Sequence, residues 1–268
     1  MSDRYAVIGN PVAHSKSPWI HGEFARATGQ DIEYLRLEAP LDAFGRTVDE
    51  FRTAGGKGAN VTLPFKEEAF RYCAEVSPRA RAAQAVNTLI FDSAGARGDN
   101  TDGAGLLRDL TANLGRAIAG RRILLMGAGG AARGVLGPLA EAGAARIVIA
   151  NRTPAKAAEL VACHPGAPLE ACGYEALAGE SFDLVINATS AGLGGGVVVL
   201  PEGIFRPGTL AYEMVYGRDT PFLAFARAAG AAACDGTGML VEQAAESFFL
   251  WRGVRPQTAP VIAALRAR

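Results

Sequence analysis

Short apolar runs broken by Gly, Pro or Asn alternate with stretches whose apolar residues recur at helical spacing. Tyr5-Ala-Val-Ile-Gly9 predicts a first strand, ended by Asn10-Pro11. Ser17 before Pro18 predicts a helix start, with Ser17 as N-cap and Pro at the first helical position. Ile20, Phe24 and Ala27 carry that helix to Gly29. Ile32 to Leu37 alternates like a strand, and Leu41 to Ala54 has helical spacing. Gly55-Gly56-Lys57-Gly58 reads as a turn, Ala59 to Leu63 as a strand stopped by Pro64, and Lys66 as a helix start. Ser77-Pro78 repeats the cap signal, Val86 to Ile90 is a strand, and Gly98 to Gly103 is a polar loop. The next helix carries Leu106, Leu107 and Leu110. This alternation argues for an open α/β sheet.

A second α/β series begins near Gly120. Its expected strands are Ile123–Met126, Ile147–Ala150, Leu184–Ala188 and Leu210–Val215. Helices are expected after Pro154, over Phe222–Ala229 behind a Thr220-Pro221 cap, from Gly238 through Gln243 to Trp251, and over about Thr258 to Arg266. A glycine fingerprint opens this half, so the two halves read as separate domains.

In the stretch Ile123 to Gly134, a buried strand breaks into glycines and then turns alanine-rich. Gly127, Gly129 and Ala132 fit the G-x-G-x-x-G/A fingerprint of a dinucleotide site. The first glycine permits the turn, the second lets backbone approach a pyrophosphate, and the small third residue lets helix and strand pack. The helix N-terminus offers N–H groups and partial positive charge to the phosphates. Such a fingerprint alone is weak. The next strand strengthens it by ending in Asn151-Arg152-Thr153, about twenty residues on, where the ribose-binding residue belongs. An NAD site wants a carboxylate there. A guanidinium instead grips a 2′-phosphate with paired hydrogen bonds, which points to NADP.

Composition narrows the field. The 268 residues carry 27 Lys plus Arg against 27 Asp plus Glu, so nothing suggests a nucleic-acid or membrane surface. No signal peptide and no bilayer-length apolar run is seen. Cys73, Cys163, Cys172 and Cys234 are scattered without a C-x-x-C, as reduced cytoplasmic thiols would be. Cys163, His164 and Cys172 lack a fourth ligand at sensible spacing, so no metal is expected.

The first half gathers polar residues at strand ends and loops: Ser15 and Ser17, Asn60 and Thr62, Lys66, Asn87, and Asn100 to Asp102. In open α/β sheets ligands bind outside the carboxyl ends of strands. A pocket of hydroxyls and amides suits a small polyhydroxylated acid. Hydride transfer to a ketone needs a proton donor, a task His, Lys or Tyr can perform. Among His14, His21 and His164, one lies in a Pro/Gly loop and His21 within a helix. Lys66 opens a helix and Asp102 ends the polar loop. If they meet, the carboxylate would orient the ammonium beside the substrate oxygen. The Tyr-x-x-x-Lys pair of another dehydrogenase class is absent.

Taken together, the chain resembles the shikimate dehydrogenase family along essentially its whole length. The matching stretches are Val7–Pro11, His14–Pro18, Gly55–Thr62, Pro64-Phe-Lys66, Ala85–Thr88, Gly98–Gly103, Gly127–Ala131, Asn151–Thr153, Ile186–Ser190, Thr220-Pro221 and Gly238–Leu240 with Gln243. The resemblance implies two α/β domains: a substrate domain over 1–102 with 238–268 packing back on it, and a Rossmann-like NADP-binding domain over 103–237. It implies NADPH-dependent reduction of 3-dehydroshikimate to shikimate in aromatic amino-acid synthesis, in the cytoplasm, by a monomer or homodimer. On the same likeness Ser15, Ser17, Thr62 and Tyr216 hold the substrate carboxylate. Lys66, Asn87, Asp102 and Gln243 bind its ring oxygens, with Lys66 as proton donor/acceptor and Asp102 its partner. Gly127, Ala128, Gly129, Gly130, Ala131, Asn151, Arg152, Thr153, Thr189, Met214, Gly236 and Met239 line the cofactor. Two departures stand out: Glu213 where Asp is common before Met-x-Tyr, and the Gly194-Gly195-Gly196 loop. The alternatives are a quinate/shikimate or aminoshikimate dehydrogenase, and a non-catalytic dinucleotide-binding regulator.

Overall fold

The computed structural model describes residues 2–189 and 200–268. Ser190 and the Gly194–Gly196 loop lie outside the described residues. The chain divides into two compact units, Met1–Leu106 with Val241–Arg268, and Leu107–Leu240.

The first unit runs β1 (Asp3–Gly9), α1 (Ser17–Thr28), β2 (Ile32–Glu38), α2 (Phe44–Thr53), β3 (Gly56–Val61), α3 (Lys66–Tyr72), β4 (Glu75–Val76), α4 (Pro78–Ala83), β5 (Thr88–Asp92), β6 (Gly95–Asp99) and the start of α5 (Asp102–Arg108). Its sheet has the order β2-β1-β3-β5-β6-β4. The β1, β2 and β3 strands are parallel, whereas β5 runs antiparallel to β3 and β6 antiparallel to β5. Tyr5, Ala6, Val7 and Ile8 are all buried, as a central strand covered on both faces requires.

The expected Gly55–Gly58 turn is a turn only at Gly55, where φ is +90°; β3 starts at Gly56. The next two glycines serve packing: a Cβ on Gly56 would stand 2.6 Å from the Phe51 ring, and one on Gly58 would stand 2.5 Å from Trp251 Nε1. The expected 98–103 loop likewise begins inside β6. Gly95-Ala-Arg-Gly-Asp has no apolar alternation, so that strand is held by its pairing with β5. Ser17 is not the helix cap: it is the first residue of α1, and Ser15 Oγ accepts its N–H at 3.2 Å.

The second unit holds the rest of α5, a π-helical turn (Asp109–Asn113), β7 (Arg122–Met126), α6 (Gly130–Glu141), β8 (Arg146–Ala150), α7 (Pro154–Ala162), β9 (Leu169–Cys172), a 3₁₀ turn (Tyr174–Leu177), β10 (Phe182–Asn187), β11 (Phe205–Glu213), α8 (Pro221–Ala228) and β12 (Ala232–Cys234). Every pairing in its sheet is parallel, in the order β12-β11-β10-β7-β8-β9. Numbered within the unit, that is the 3-2-1-4-5-6 order of doubly wound dinucleotide-binding sheets, whose ligand site lies where the order reverses, at the carboxyl end of β7. The Thr220 hydroxyl caps α8 by accepting the Leu223 N–H at 3.3 Å.

The chain then enters α9 (Thr237–Arg252) and α10 (Ala259–Arg266). From Val241 onward these helices belong to the first unit. Trp251 stacks on Tyr5 and donates its indole N–H to Leu89 O at 2.9 Å, tying α9 to that unit's sheet.

Candidate active site

In the first unit the polar residues meet where β3 ends, β5 begins and β6 ends. The antiparallel β5–β6 hairpin explains this: it returns the Asn100–Asp102 segment to the level of Asn87. Arg79 fixes the segment from below, binding Asp99 through Nε and Nη2 at 2.7 and 3.0 Å and Glu246 through Nη1 at 3.0 Å.

Lys66 Nζ donates to Asp102 Oδ2 at 2.5 Å. The Lys66 side chain is 18% exposed and that of Asp102 7%, so the pair is largely withdrawn from water but still reachable. Asn87 Nδ2 donates to the other carboxylate oxygen, Oδ1, at 2.8 Å and to Thr101 Oγ1 at 2.9 Å. The Gln243 side-chain oxygen lies 3.3 Å from the same nitrogen. Gly105 permits this approach, since a Cβ there would stand 2.7 Å from the Gln243 backbone N. The structure therefore brings Lys66, Asn87, Asp102 and Gln243 into one cluster.

Ser15 and Ser17 form a second polar point. Their hydroxyls are 3.2 Å apart, and the Arg36 guanidinium donates to the Ser15 carbonyl through Nε and Nη2 at 3.2 and 2.7 Å. Thr62 follows β3, and its N–H donates to Ile8 O at 2.9 Å. Tyr216 lies in the second unit, beyond the end of β11.

The second unit carries the glycine turn. Gly127 has φ of +100°, a left-handed conformation that favours glycine. A Cβ on Gly129 or Gly130 would meet nothing within 4 Å, so backbone is open to a ligand there. Gly129 caps α6 without a side-chain hydrogen bond, which leaves first-turn N–H groups for an anion. Ala128 and the tightly packed Ala132 are buried, while Ala131 is half-buried. Asn151 Nδ2 binds Thr153 O at 2.9 Å, and Arg152 and Thr153 are exposed beside it at the end of β8. These features fit a dinucleotide with a phosphate on its adenosine ribose.

Sequence reasoning set Glu213 aside, yet its fully buried carboxylate organises this end of the sheet. It accepts Asn187 Nδ2 at 2.8 Å, Thr220 Oγ1 at 2.9 Å and Val215 N at 3.1 Å. Burial pushes its pKa above the usual value, while those hydrogen bonds oppose the shift. Asn187 Oδ1 in turn accepts the N–H and hydroxyl of Thr189 at 3.1 and 2.7 Å. Met214 N donates to Asn187 O at 3.0 Å. Thr189 and Met214 are thus held by one network. Gly236 passes so close to Met214 that a Cβ would stand 2.4 Å from its carbonyl oxygen, and Met239 is buried in the first turn of α9.

Comparison with known proteins gives a consistent result. Residues 7–89 match the family model described as the shikimate dehydrogenase substrate binding domain. Residues 109–193 match shikimate / quinate 5-dehydrogenase, and 236–266 the shikimate 5'-dehydrogenase C-terminal domain. The chain is 59% identical to the shikimate dehydrogenase (NADP(+)) of Dechloromonas aromatica (strain RCB), covering 100% of this chain and 99% of that protein. It superposes with a TM-score of 0.93 on an Ael1 enzyme from Pseudomonas putida, 51% identical over 98% of both chains. The TM-score is 0.89, at 36% identity over 99% of both chains, with the shikimate 5-dehydrogenase of Thermus thermophilus in complex with NADP(H) and shikimate.

Proposed function

Because the chain belongs to the shikimate dehydrogenase family, we infer that it is an NADP-dependent oxidoreductase interconverting 3-dehydroshikimate and shikimate in aromatic amino-acid synthesis. The observation that carries the chemistry is the Lys66–Asp102 contact at 2.5 Å within the amide and hydroxyl cluster. NADPH, when bound, supplies the hydride to the ketone carbon. Lys66 gives a proton from Nζ to the ketone oxygen as the hydride arrives, and takes it back in the reverse direction. Asp102 holds Nζ in place through Oδ2. Asn87 and Gln243 bind the neighbouring ring oxygens. On the family likeness, Ser15, Ser17, Thr62 and Tyr216 are the residues whose hydroxyls bind the substrate carboxylate.

Gly127 to Ala131 and the N-terminus of α6 take the pyrophosphate. Asn151, Arg152 and Thr153 take the adenosine ribose and its 2′-phosphate. Thr189, Met214, Gly236 and Met239 line the remainder of the cofactor. The paired serines and Arg152 support shikimate and NADP over quinate and NAD. Lys66 and Asp102 count against a silent dinucleotide-binding regulator, which would need neither. Scattered thiols support a cytoplasmic enzyme and a formal charge of zero one without a nucleic-acid partner, and the family likeness suggests a monomer or homodimer.

An absorbance assay of NADPH formation from shikimate tests the reading. Turnover with shikimate and NADP is expected. Faster turnover of quinate with NAD, or none with shikimate, overturns it.

A further inference from the structure

Behind the Lys66–Asp102 pair lies a row of buried polar side chains whose donors all point the same way. Two amides set the direction, each fixed by a backbone group with only one role. Thr101 N–H, which can only donate, meets Asn87 Oδ1 at 2.8 Å, so Nδ2 must face Asp102. Asn87 C=O, which can only accept, meets Asn60 Nδ2 at 3.2 Å, so Asn60 Oδ1 must face Tyr34. The order follows. Tyr34 Oη donates to Asn60 Oδ1 at 2.7 Å. Asn60 Nδ2 reaches Ser247 Oγ at 2.9 Å and Thr88 Oγ1 at 3.3 Å. Thr88 Oγ1 lies 2.8 Å from Ser247 Oγ, where either hydroxyl could donate, and 2.9 Å from Asn87 Oδ1, which can only accept. With Ser247 donating to Thr88, Thr88 donates to Asn87, and Asn87 Nδ2 donates to Asp102 Oδ1 at 2.8 Å.

Asn60, Thr88, Asn87 and Ser247 are buried, and none of these side chains can turn to water if the row breaks. Burial pushes the Tyr34 phenol well above its usual pKa, so it stays a donor. The His21 ring stacks on it at 4.3 Å between centroids and 6° between planes, which holds the phenol in line. Hydrogen bonds in such a chain polarise one another.

We propose that Tyr34 and Thr88 are positioning residues for the reaction: they form a donor chain that braces the Asn87 amide in the direction set by the Thr101 N–H and leaves Asp102 Oδ2 to Lys66. The proposal rests on the reading of Lys66 and Asp102 as the proton-transfer pair. Without the Thr88 hydroxyl Asn87 Oδ1 keeps the Thr101 N–H but loses a second donor, so the amide is held less firmly against Asp102 Oδ1.

Thr88→Val, Thr88→Ser, Tyr34→Phe and Lys66→Ala are compared by steady-state kinetics with shikimate and NADP. Thr88→Val is expected to lower kcat up to about tenfold, the scale of one lost buried hydrogen bond, with KM for NADP unchanged. Thr88→Ser, which keeps the hydroxyl, is expected to restore kcat. Tyr34→Phe, remote from Asp102, is expected to lower kcat several-fold, and it keeps the proposal testable should Thr88→Val fail to fold. A kcat within twofold of the parent for Thr88→Val, or for Tyr34→Phe where Thr88→Val does not fold, overturns the proposal. So does equal loss in Thr88→Val and Thr88→Ser. If Lys66→Ala also keeps its kcat, the reading of the pair itself has failed; if Lys66→Ala alone loses activity, only the donor chain has.

Discussion

Lys66 Nζ stands 2.5 Å from Asp102 Oδ2 across 36 positions of sequence, one residue opening α3 and the other opening α5. The contact lies where water is scarce, so removing one partner leaves the other charge poorly compensated. Lys66→Ala is expected to cut kcat by about 10²-fold or more, the usual scale of a general acid–base group, while KM for shikimate changes much less. Single-turnover and steady-state rates decide it: a near-normal kcat rejects Lys66 as the proton carrier.

Arg152 is exposed at the end of β8, beside the turn made by Asn151 and Thr153. A guanidinium there can pair with a 2′-phosphate, and NAD has none. Arg152→Ala should raise KM for NADP roughly tenfold or more, the worth of a charge-assisted hydrogen bond, and leave KM for NAD almost unchanged. Equal changes for both cofactors would show that Arg152 does not read that phosphate.

The β7–turn–α6 segment was legible in sequence because its signals are local: an apolar run, glycines at fixed offsets, then helix formers. The β5–β6 hairpin was not, because Gly95-Ala-Arg-Gly-Asp carries no period and gains its strand from the neighbour it pairs with. The residue types of the candidate site were visible, but the meeting of Lys66 with Asp102 depends on that hairpin. The place of Gln243 came from family likeness, since nothing local to α9 points to β5. Tyr34 and Ser247 gave no signal, being ordinary members of a strand or helix pattern, whereas Asn87-Thr88 sets polar groups on an apolar strand, where they must find partners. Glu213 did offer one: a carboxylate ending an apolar strand must find donors, and here it has three.

Gly238 tests packing against helix propensity. It sits in the first turn of α9, where Ala would normally favour the helix by up to about 1 kcal/mol. A Cβ there would stand 1.9 Å from Asp109 Oδ1. Asp109 is fully buried, accepting Tyr212 Oη at 2.6 Å and Asn113 Nδ2 at 2.9 Å, so it has little room to move. Overpacking of this kind costs about 1–3 kcal/mol, which outweighs propensity. Gly238→Ala should therefore lower the thermal midpoint; an equal or higher midpoint in calorimetry would show that Asp109 gives way.

His21 gives the fold a pH dependence of known sign. Its ring is fully buried among Tyr34, Phe24, Phe248 and Trp251, and neither ring nitrogen has a hydrogen-bond partner among the described residues. Burial lowers its pKa from 6.5 to about 3. The unfolded chain therefore takes the proton first as pH falls. Stability from this group is full above the unfolded value and declines below it, at about 1.4 kcal/mol per pH unit, until the folded value is reached. Between about pH 7 and about pH 5 the loss is about 2 kcal/mol. His21→Phe keeps a ring to stack on Tyr34 and cannot titrate. Any overpacking it brings is the same at both pH values, so the slope is the measure. Denaturant unfolding of the two proteins at both pH values should show a shallower loss in the variant, and identical slopes would mean that His21 takes up its proton without unfolding.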